Sequence, residues 1–275
     1  MSDWVFEILT VMGLLVAAFA LKTFSQAAVR KLGAVLILAA SFLAGFYLTD
    51  SYLGGLAGVL IWFVLPLFPL LTRIRRMRLP VEKSLESRPP PTANQFPMLN
   101  DFTDEIEAAE FEYVADKGWE WDDSKQYFRI FYHEEEKQQA VICLNEQEEM
   151  SFAFVSIVCR TKYGQTYRTW NYPFSYTMKT APGVMMNTVP NVDSFETLMD
   201  SHRDFLSLNQ VNPEEILEED EKSFQQAMEE EIRLQVRHNL DRGLIALAGE
   251  GTFRYSWRGL FFLWGQFVKD MVKLS

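Results

Sequence analysis

Three apolar stretches decide the fold of this chain: VFEILTVMGLLVAAFAL at residues 5–21, LGAVLILAASFLAGFYL at 32–48 and YLGGLAGVLIWFVLPLFPLL at 52–71. As α-helices they reach roughly 26, 26 and 30 Å, close to the thickness of about 30 Å of a bilayer's hydrocarbon core. A cleaved signal peptide is the disfavoured alternative for the first stretch, because its start carries Asp3 and Glu7 and no base. Residues 1–79 are therefore predicted to form an anchor of three transmembrane helices.

The basic residues predict how this anchor is oriented. They follow the first and the third stretch: Lys22, Arg30 and Lys31, then Arg73, Arg75, Arg76, Arg78 and Lys83. The turn at Asp50 carries no base. Since basic flanks stay on the cytoplasmic side, we expect a multi-pass protein of the plasma (inner) membrane with its N-terminus outside and its soluble domain in the cytoplasm. Cys143 and Cys159 would then be free thiols in a reducing compartment.

The charge balance divides the chain at about residue 100. Residues 1–100 carry nine bases against five acids, whereas residues 101–275 carry 32 acids against 17 bases. A soluble part with this excess of acids is repelled by phosphates, which excludes a nucleic-acid binder. The composition also excludes a disordered chain and a disulfide-stabilised scaffold. The lipid bilayer is the one partner that the sequence predicts directly.

Small residues in the apolar stretches indicate close helix packing. Gly54 and Gly58 in the third stretch, and Ala40 and Ala44 in the second, have the spacing that lets helix backbones approach each other. We favour packing among the chain's own helices over a contact between copies. Pro66 and Pro69 are expected to bend the third helix. The stretches lack Lys, Arg, Asp and His, which argues against a self-contained pump.

The rest of the chain is predicted to be an α+β domain at 98–252, which follows a Pro-rich linker at 80–97 that forms an extended spacer. A short helix over 102–113 should end before Gly118. Strands are expected at 126–133, 140–144, 151–161 and 165–171, with a fifth element from 174–179 and 184–189. Short polar gaps between them predict an antiparallel meander of about four to five strands.

Two helices are expected to pack on this sheet. The first begins at a capping box, Asp193-Ser-Phe-Glu196, and the second begins at Asn212-Pro213 and runs to Ala248. The second helix is long and acidic, with nine acids against Lys222 and Arg233 between residues 214 and 233. This acidic stretch is interpreted as a solvated face, with a basic protein partner as the alternative.

Residues 253–275 are predicted to form an amphipathic C-terminal helix. The residues expected at a membrane surface are Arg254, Trp257, Arg258, Phe261, Trp264, Lys269 and Lys273. Large aromatic residues beside bases are typical of a helix in the bilayer interface. The alternative is a core helix of the soluble domain.

The sequence assigns no catalytic, metal-binding or cofactor-binding residue. No HExxH, CxxC, GxxxxGK[ST], GxGxxG or GxSxG pattern occurs. His133, His202 and His238 stand apart from one another, and a solvated turn explains His133 beside its three glutamates. Tyr167, Arg168 and Trp170 are candidates for a ligand groove, although aromatic residues in strands usually belong to the core.

The absence of a catalytic pattern leaves three hypotheses for function. The first is a membrane-anchored cytoplasmic interaction or scaffold module. The second is a ligand sensor or enzyme with a pocket between the sheet and the long helix, which would use groups such as Cys143, His202 or Arg168. A filled core between sheet and helix would argue against it. The third is an accessory subunit of a transporter or envelope complex.

Overall fold

The computed structural model describes residues 3–24, 26–122, 124–147, 150–190, 192 and 194–274. The chain divides into two compact units. The first, which we call the anchor unit, combines Met1–Met77 with Tyr255–Ser275. The second, the sheet unit, is Arg78–Arg254.

The anchor unit begins with three apolar helices, α1 (Asp3–Lys22), α2 (Ala27–Thr49) and α3 (Tyr52–Val64). Helix α2 packs against both α1 and α3. Ser51 caps α3, because its side chain accepts a hydrogen bond from the backbone N–H of Leu53. The helices α1 and α2 are long and apolar enough to cross a membrane. Among its described residues, the anchor unit therefore has two such helices, or three if the bent segment that starts with α3 is one span.

This third segment is broken after Val64. It continues as the short helix α4 (Leu67–Pro69) and a π-helical turn at Leu70–Ile74, and the chain bends by 47° at the break. Pro66 has no N–H to continue the hydrogen-bond ladder of α3, so the helix stops there. The predicted bend is confirmed.

The C-terminal helix α8 (Trp257–Leu274) belongs to the anchor unit, where it packs against the π-helical turn. Leu260 and Leu263 of α8 are buried, as is Leu70 of the turn. Residues far apart in sequence thus share one apolar core. Residues 255–275 are thus grouped with the apolar N-terminal helices and not with the sheet unit.

The sheet unit contains a seven-stranded mixed sheet in the order β2-β3-β4-β5-β6-β7-β8. Its strands are β2 (Glu86–Ser87), β3 (Glu112–Trp121), β4 (Ser124–His133), β5 (Gln138–Gln147), β6 (Met150–Arg160), β7 (Thr166–Trp170) and β8 (Val184–Thr188). Neighbours are antiparallel except β7 and β8, which are parallel. The predicted meander of four to five strands is wrong in strand number and in direction at this edge. The connection at 171–183 crosses over, which the Pro182-Gly183 turn did not indicate.

A second sheet has three strands and includes the first and the last strand of the sheet unit. Its order is β1 (Leu79–Pro80), β10 (Thr252–Tyr255) and β9 (Ile245–Gly249). Leu79 pairs with Phe253 and Pro80 with Thr252. The incoming and outgoing strands are therefore held side by side.

The Pro-rich segment is packed and does not form a free spacer. Glu86 pairs with Gly118 in the large sheet, and Leu85 and Phe96 are buried. The Lys83 ammonium lies 3.7 Å from the centre of the Trp119 ring. These apolar residues between the prolines fix the segment on the sheet.

Helices cover both faces of the large sheet. On β4, Tyr127 and Phe131 belong to a core beneath α5 (Leu99–Ala108) and α6 (Phe195–Leu208). Phe128 and Ile130 belong to the opposite core, beneath α7 (Glu221–Asp241). This alternation is the two-residue period of a strand buried on both faces.

Several predicted helix limits were wrong. Helix α5 ends at Ala108, and Glu110 has a φ of 66° before the chain enters β3, where Gly118 lies mid-strand. Helix α6 starts after Ser194, whereas Asp193 is outside the described residues. Asn212 and Pro213 begin only a 3-10 turn. Helix α7 starts later, at a capping box of Asp220 and Ser223, and ends at Asp241 before Gly243.

Candidate functional site

Side chains of the C-terminal helix contact the third apolar segment of the anchor unit and the residues that follow it. The indole N–H of Trp264 donates a hydrogen bond of 2.7 Å to the backbone carbonyl of Phe63. The guanidinium carbon of Arg75 lies 4.1 Å from the centre of the Trp257 ring. One contact is at the helix break and the other is beyond the π-helical turn, so α8 contacts this segment at two points.

The hydrogen bond from Trp264 satisfies a carbonyl near the break in the third segment. Phe63 precedes the last residue of α3, and the bend separates it from the next helical turn. In hydrocarbon, leaving a backbone carbonyl without a hydrogen-bond donor costs several kcal/mol of free energy. Other unpaired polar groups cost about the same there. The indole of α8 thus takes the place of the missing helical donor.

The predicted membrane-interface residues divide between the two faces of α8. Trp257 and Phe261 are 55% and 63% exposed, and Arg258 and Lys269 are also exposed. Trp264 faces inward to Phe63. Arg254 is exposed at the end of the sheet unit, and the side chain of Lys273 lies outside the described residues.

The predicted small-residue positions lie where α2 meets α3. A β-carbon at Gly58 would collide with the carbonyl oxygen of Ser41, and one at Gly54 would collide with Thr49 and with the carbonyl of Gly45. Ala40 is buried and Ala44 is half-buried. Close packing of Gly54 and Gly58 within the chain explains their spacing without a second copy.

Of the three candidates for a ligand groove, only Arg168 and Trp170 lie together, with the guanidinium carbon 6.0 Å from the centre of the Trp170 ring. Tyr167 is buried on the α6 side of β7 against Phe205. Arg168 points to the other face, where it forms an ion pair of 2.8 Å with Glu231 of α7. Trp170 shares that face, but its ring stacks on Tyr172. Tyr167 therefore does not share a groove with the other two residues, and the Arg168 guanidinium is already paired with Glu231.

An aromatic cluster that the sequence did not predict surrounds Trp170. Its members are Phe152, Phe154, Trp170, Tyr172, Phe174 and Tyr176. The Trp170 indole N–H and the Tyr176 hydroxyl both contact the hydroxyl of Thr188, at 3.1 and 2.7 Å. The alternation of aromatic residues from 170 to 176 was the available signal.

Most carboxylates in the acidic stretch 214–233 have partners within the chain. Ion pairs join Glu218 to Lys137, Glu219 to Arg160, Glu221 to Lys117, Glu230 to Arg233 and Glu231 to Arg168. Glu229 accepts a hydrogen bond from the N–H of Leu85, and Asp220 caps α7. Several of these pairs join the stretch to the sheet, whereas the side chains of Glu218 and Glu221 remain 77% and 55% exposed.

The side chains of Cys143, Cys159 and His202 are buried and uncharged at neutral pH. Burial raises the pKa of the Cys143 and Cys159 thiols to about 12. Burial also lowers the pKa of His202 to about 4, so the ring is neutral, with Nδ1 2.9 Å from the Thr169 hydroxyl. Cys143 packs beneath α7, whereas His202 is on α6, across the sheet. These groups do not form one site.

Within the described ranges, no group of three His, Cys, Asp or Glu residues is arranged to hold a metal ion. An open groove of about 440 Å³ runs along β3, between Tyr113 and the Pro89-Pro90 pair. Its Asp116 carboxylate is bound to Arg129 at 2.9 Å, so the groove offers little unpaired charge. The exposed face of α8 remains the strongest candidate for a functional surface.

Comparison with known proteins gives no relative for this chain: no family model, curated protein or solved structure matches it.

Proposed function

We propose that the chain is a membrane-anchored interaction or scaffold module whose sheet unit is tethered to the membrane at both ends. The grouping of Tyr255–Ser275 with the N-terminal helices is the observation that carries this proposal. The pairing of β1 with β10 supports it further, because the two connections to the anchor unit leave the sheet unit side by side. Two connections, rather than one, then link the sheet unit to the membrane.

The proposal includes three membrane spans, with the bent third segment crossing as one. The N-terminus is then outside, and both basic clusters, at 22–31 and 73–83, face the cytoplasm. The sheet unit lies in the cytoplasm, where its buried thiols stay reduced. The membrane is the plasma (inner) membrane.

The enzyme or sensor hypothesis has less support. Two apolar cores fill the space between the sheet and its helices on both faces. Cys143 and His202 are on opposite faces and carry no charge at neutral pH. Function through surface contacts is therefore favoured over chemistry in a buried pocket.

Site-specific photo-crosslinking in native membranes tests the proposal. A photoreactive residue would replace Tyr163, Leu208 or Leu247, which are exposed positions of the sheet unit, with Phe19 of α1 as the control in the apolar region. We expect a discrete protein adduct from at least one sheet-unit position, and the same protein should co-purify with the wild-type chain. An adduct with a transporter or envelope component would favour the accessory-subunit hypothesis. No protein adduct, with a lone monomer in several mild detergents, would contradict the proposal.

A further inference from the structure

The part of the anchor unit around α8 has a strong excess of positive charge. Residues 65–77 and 255–275 together carry six bases and a single acid, Asp270. Asp270 is buried, whereas Arg75, Arg76 and Arg258 are exposed. This part of the anchor unit therefore attracts anions.

The exposed bases stand beside exposed aromatic rings. Trp257 and Phe261 are one helical turn apart and lie on the same face of α8. The Arg75 guanidinium stacks on the Trp257 ring, which holds the charge in a fixed place while leaving N–H donors available. Rings at the headgroup boundary with guanidinium groups beside them suit a phosphate ester on an apolar tail.

The helix that carries this surface is fixed by its other face. Leu260 and Leu263 are buried, and Trp264 is hydrogen-bonded to the Phe63 carbonyl. The outer face of α8 is thus held in place before any ligand binds, which lowers the entropic cost of binding.

We propose that the outer face of α8, together with Arg75 and Arg76, binds the headgroups of anionic phospholipids in the cytoplasmic leaflet. Arg75 and Arg258 donate hydrogen bonds to the lipid phosphate, and Trp257 and Phe261 insert among the acyl chains below it. This inference rests on the proposed function, because it requires both basic segments to lie at that leaflet.

Lipid binding to the detergent-solubilised full chain tests this inference. Native mass spectrometry would give the dissociation constants of phosphatidylglycerol and phosphatidylcholine. We expect tighter binding of phosphatidylglycerol, and a loss of roughly five-fold in its affinity for each of Arg75→Gln and Arg258→Gln. Trp257→Leu should also weaken binding, and Trp257→Phe should restore part of it because a ring remains beneath Arg75.

The matched control is Arg233→Gln, which removes the same charge from an exposed residue of α7. It should leave the affinity for phosphatidylglycerol unchanged. Equal binding of the two lipids, equal effects of the control and the anchor variants, or displacement of the lipid by glycerol phosphate would overturn the inference. Topology mapping is a separate measurement, so the lipid site can fail while the double tether of the proposed function stands.

Discussion

Trp264 shows how one side chain can support a broken helix. Its indole N–H donates to the Phe63 carbonyl, close to the break in the third segment. Trp264→Phe keeps an aromatic ring and removes the donor. We expect the free energy of unfolding of the full chain in detergent to fall by about 1 to 3 kcal/mol, because the carbonyl stays without a partner.

The control for this prediction is Trp4→Phe, at a position of α1 that is 62% exposed. It should change the stability by less than about 0.5 kcal/mol. Equal effects of the two substitutions in thermal unfolding would show that the hydrogen bond to Phe63 contributes nothing.

His202 predicts a dependence of stability on pH. Its pKa is about 4 in the folded chain, below the ordinary value of 6.5, because the ring is buried. Between these values the unfolded chain binds more protons, so the free energy of unfolding decreases as the pH falls from 6.5 toward 4. The contribution amounts to about 3 kcal/mol at most.

His202→Asn retains a group that can bond to Thr169 and cannot titrate. The difference in stability between wild type and this variant, measured by denaturant unfolding at several pH values, should therefore shrink or reverse as the pH falls in this range. Carboxylates titrate in both proteins and cancel in the difference. A difference that is constant from pH 7 to about 4 would contradict the assigned burial.

Residue roles were the part that sequence predicted least well. Arg168 was a groove candidate because it follows Tyr167 and precedes Trp170 by two positions. Its partner, Glu231, is 63 residues away, and no local pattern links them. The same holds for Trp264 and Phe63, since contacts between distant residues depend on the fold and not on spacing.

At the scale of elements, the contact between α2 and α3 depends on glycine. Gly58 lies against the Ser41 carbonyl, so a larger residue must push the helices apart. Gly58→Val should destabilise the full chain by about 1 to 3 kcal/mol. Gly13→Val in α1 is the control, because a β-carbon added there meets no atom within 4 Å. If both variants unfold at the same temperature, the close approach of α2 and α3 is not as described.

The ion pairs of α7 are predicted to clamp the helix onto the sheet. Arg168 and Glu231 have side chains that are 19% and 18% exposed, so removing one partner leaves a poorly solvated charge. Glu231→Gln should lower the free energy of unfolding by about 2 kcal/mol. The double variant that also carries Arg168→Met should regain part of this stability. Glu230→Gln disrupts the exposed pair with Arg233 and should cost less than about 1 kcal/mol. A double-mutant cycle without coupling between Arg168 and Glu231 would contradict the clamp.

The elements with a clear period were predicted, and those with mixed signals were not. The strand from Ser124 to His133 directs alternate residues to the two cores, and the predicted range 126–133 lies within it. Strand β3 was missed because Gly118 and its charged neighbours resemble a helix end. Asp116 and Lys117 are buried or half-buried there through pairs with Arg129 and Glu221. These charged residues of β3 are paired with residues of other elements, so the sequence of this strand did not look like that of a buried strand.

At the scale of the whole molecule, the sequence predicted the apolar N-terminal helices and the α+β character of the remainder. It left open whether the last helix lies on the membrane surface or packs in the soluble core. An amphipathic helix can bury its apolar face against lipid or against a protein core. Where it packs therefore depends on which apolar surface is available. Helix α8 packs near Leu70 and Phe63. This packing could not be predicted from the sequence, because it depends on the three-dimensional bend at Pro66.

Cysteine labelling of topology tests the central claim most directly, because the buried native thiols resist labelling. Cysteine would be introduced at Thr23, Tyr52 or Tyr163, which are exposed positions. In sealed spheroplasts, a charged maleimide should label Tyr52→Cys alone, and in inverted vesicles it should label Thr23→Cys and Tyr163→Cys. Labelling of Tyr52→Cys and Tyr163→Cys from the same side would mean that the bent third segment does not cross, and the account would be contradicted.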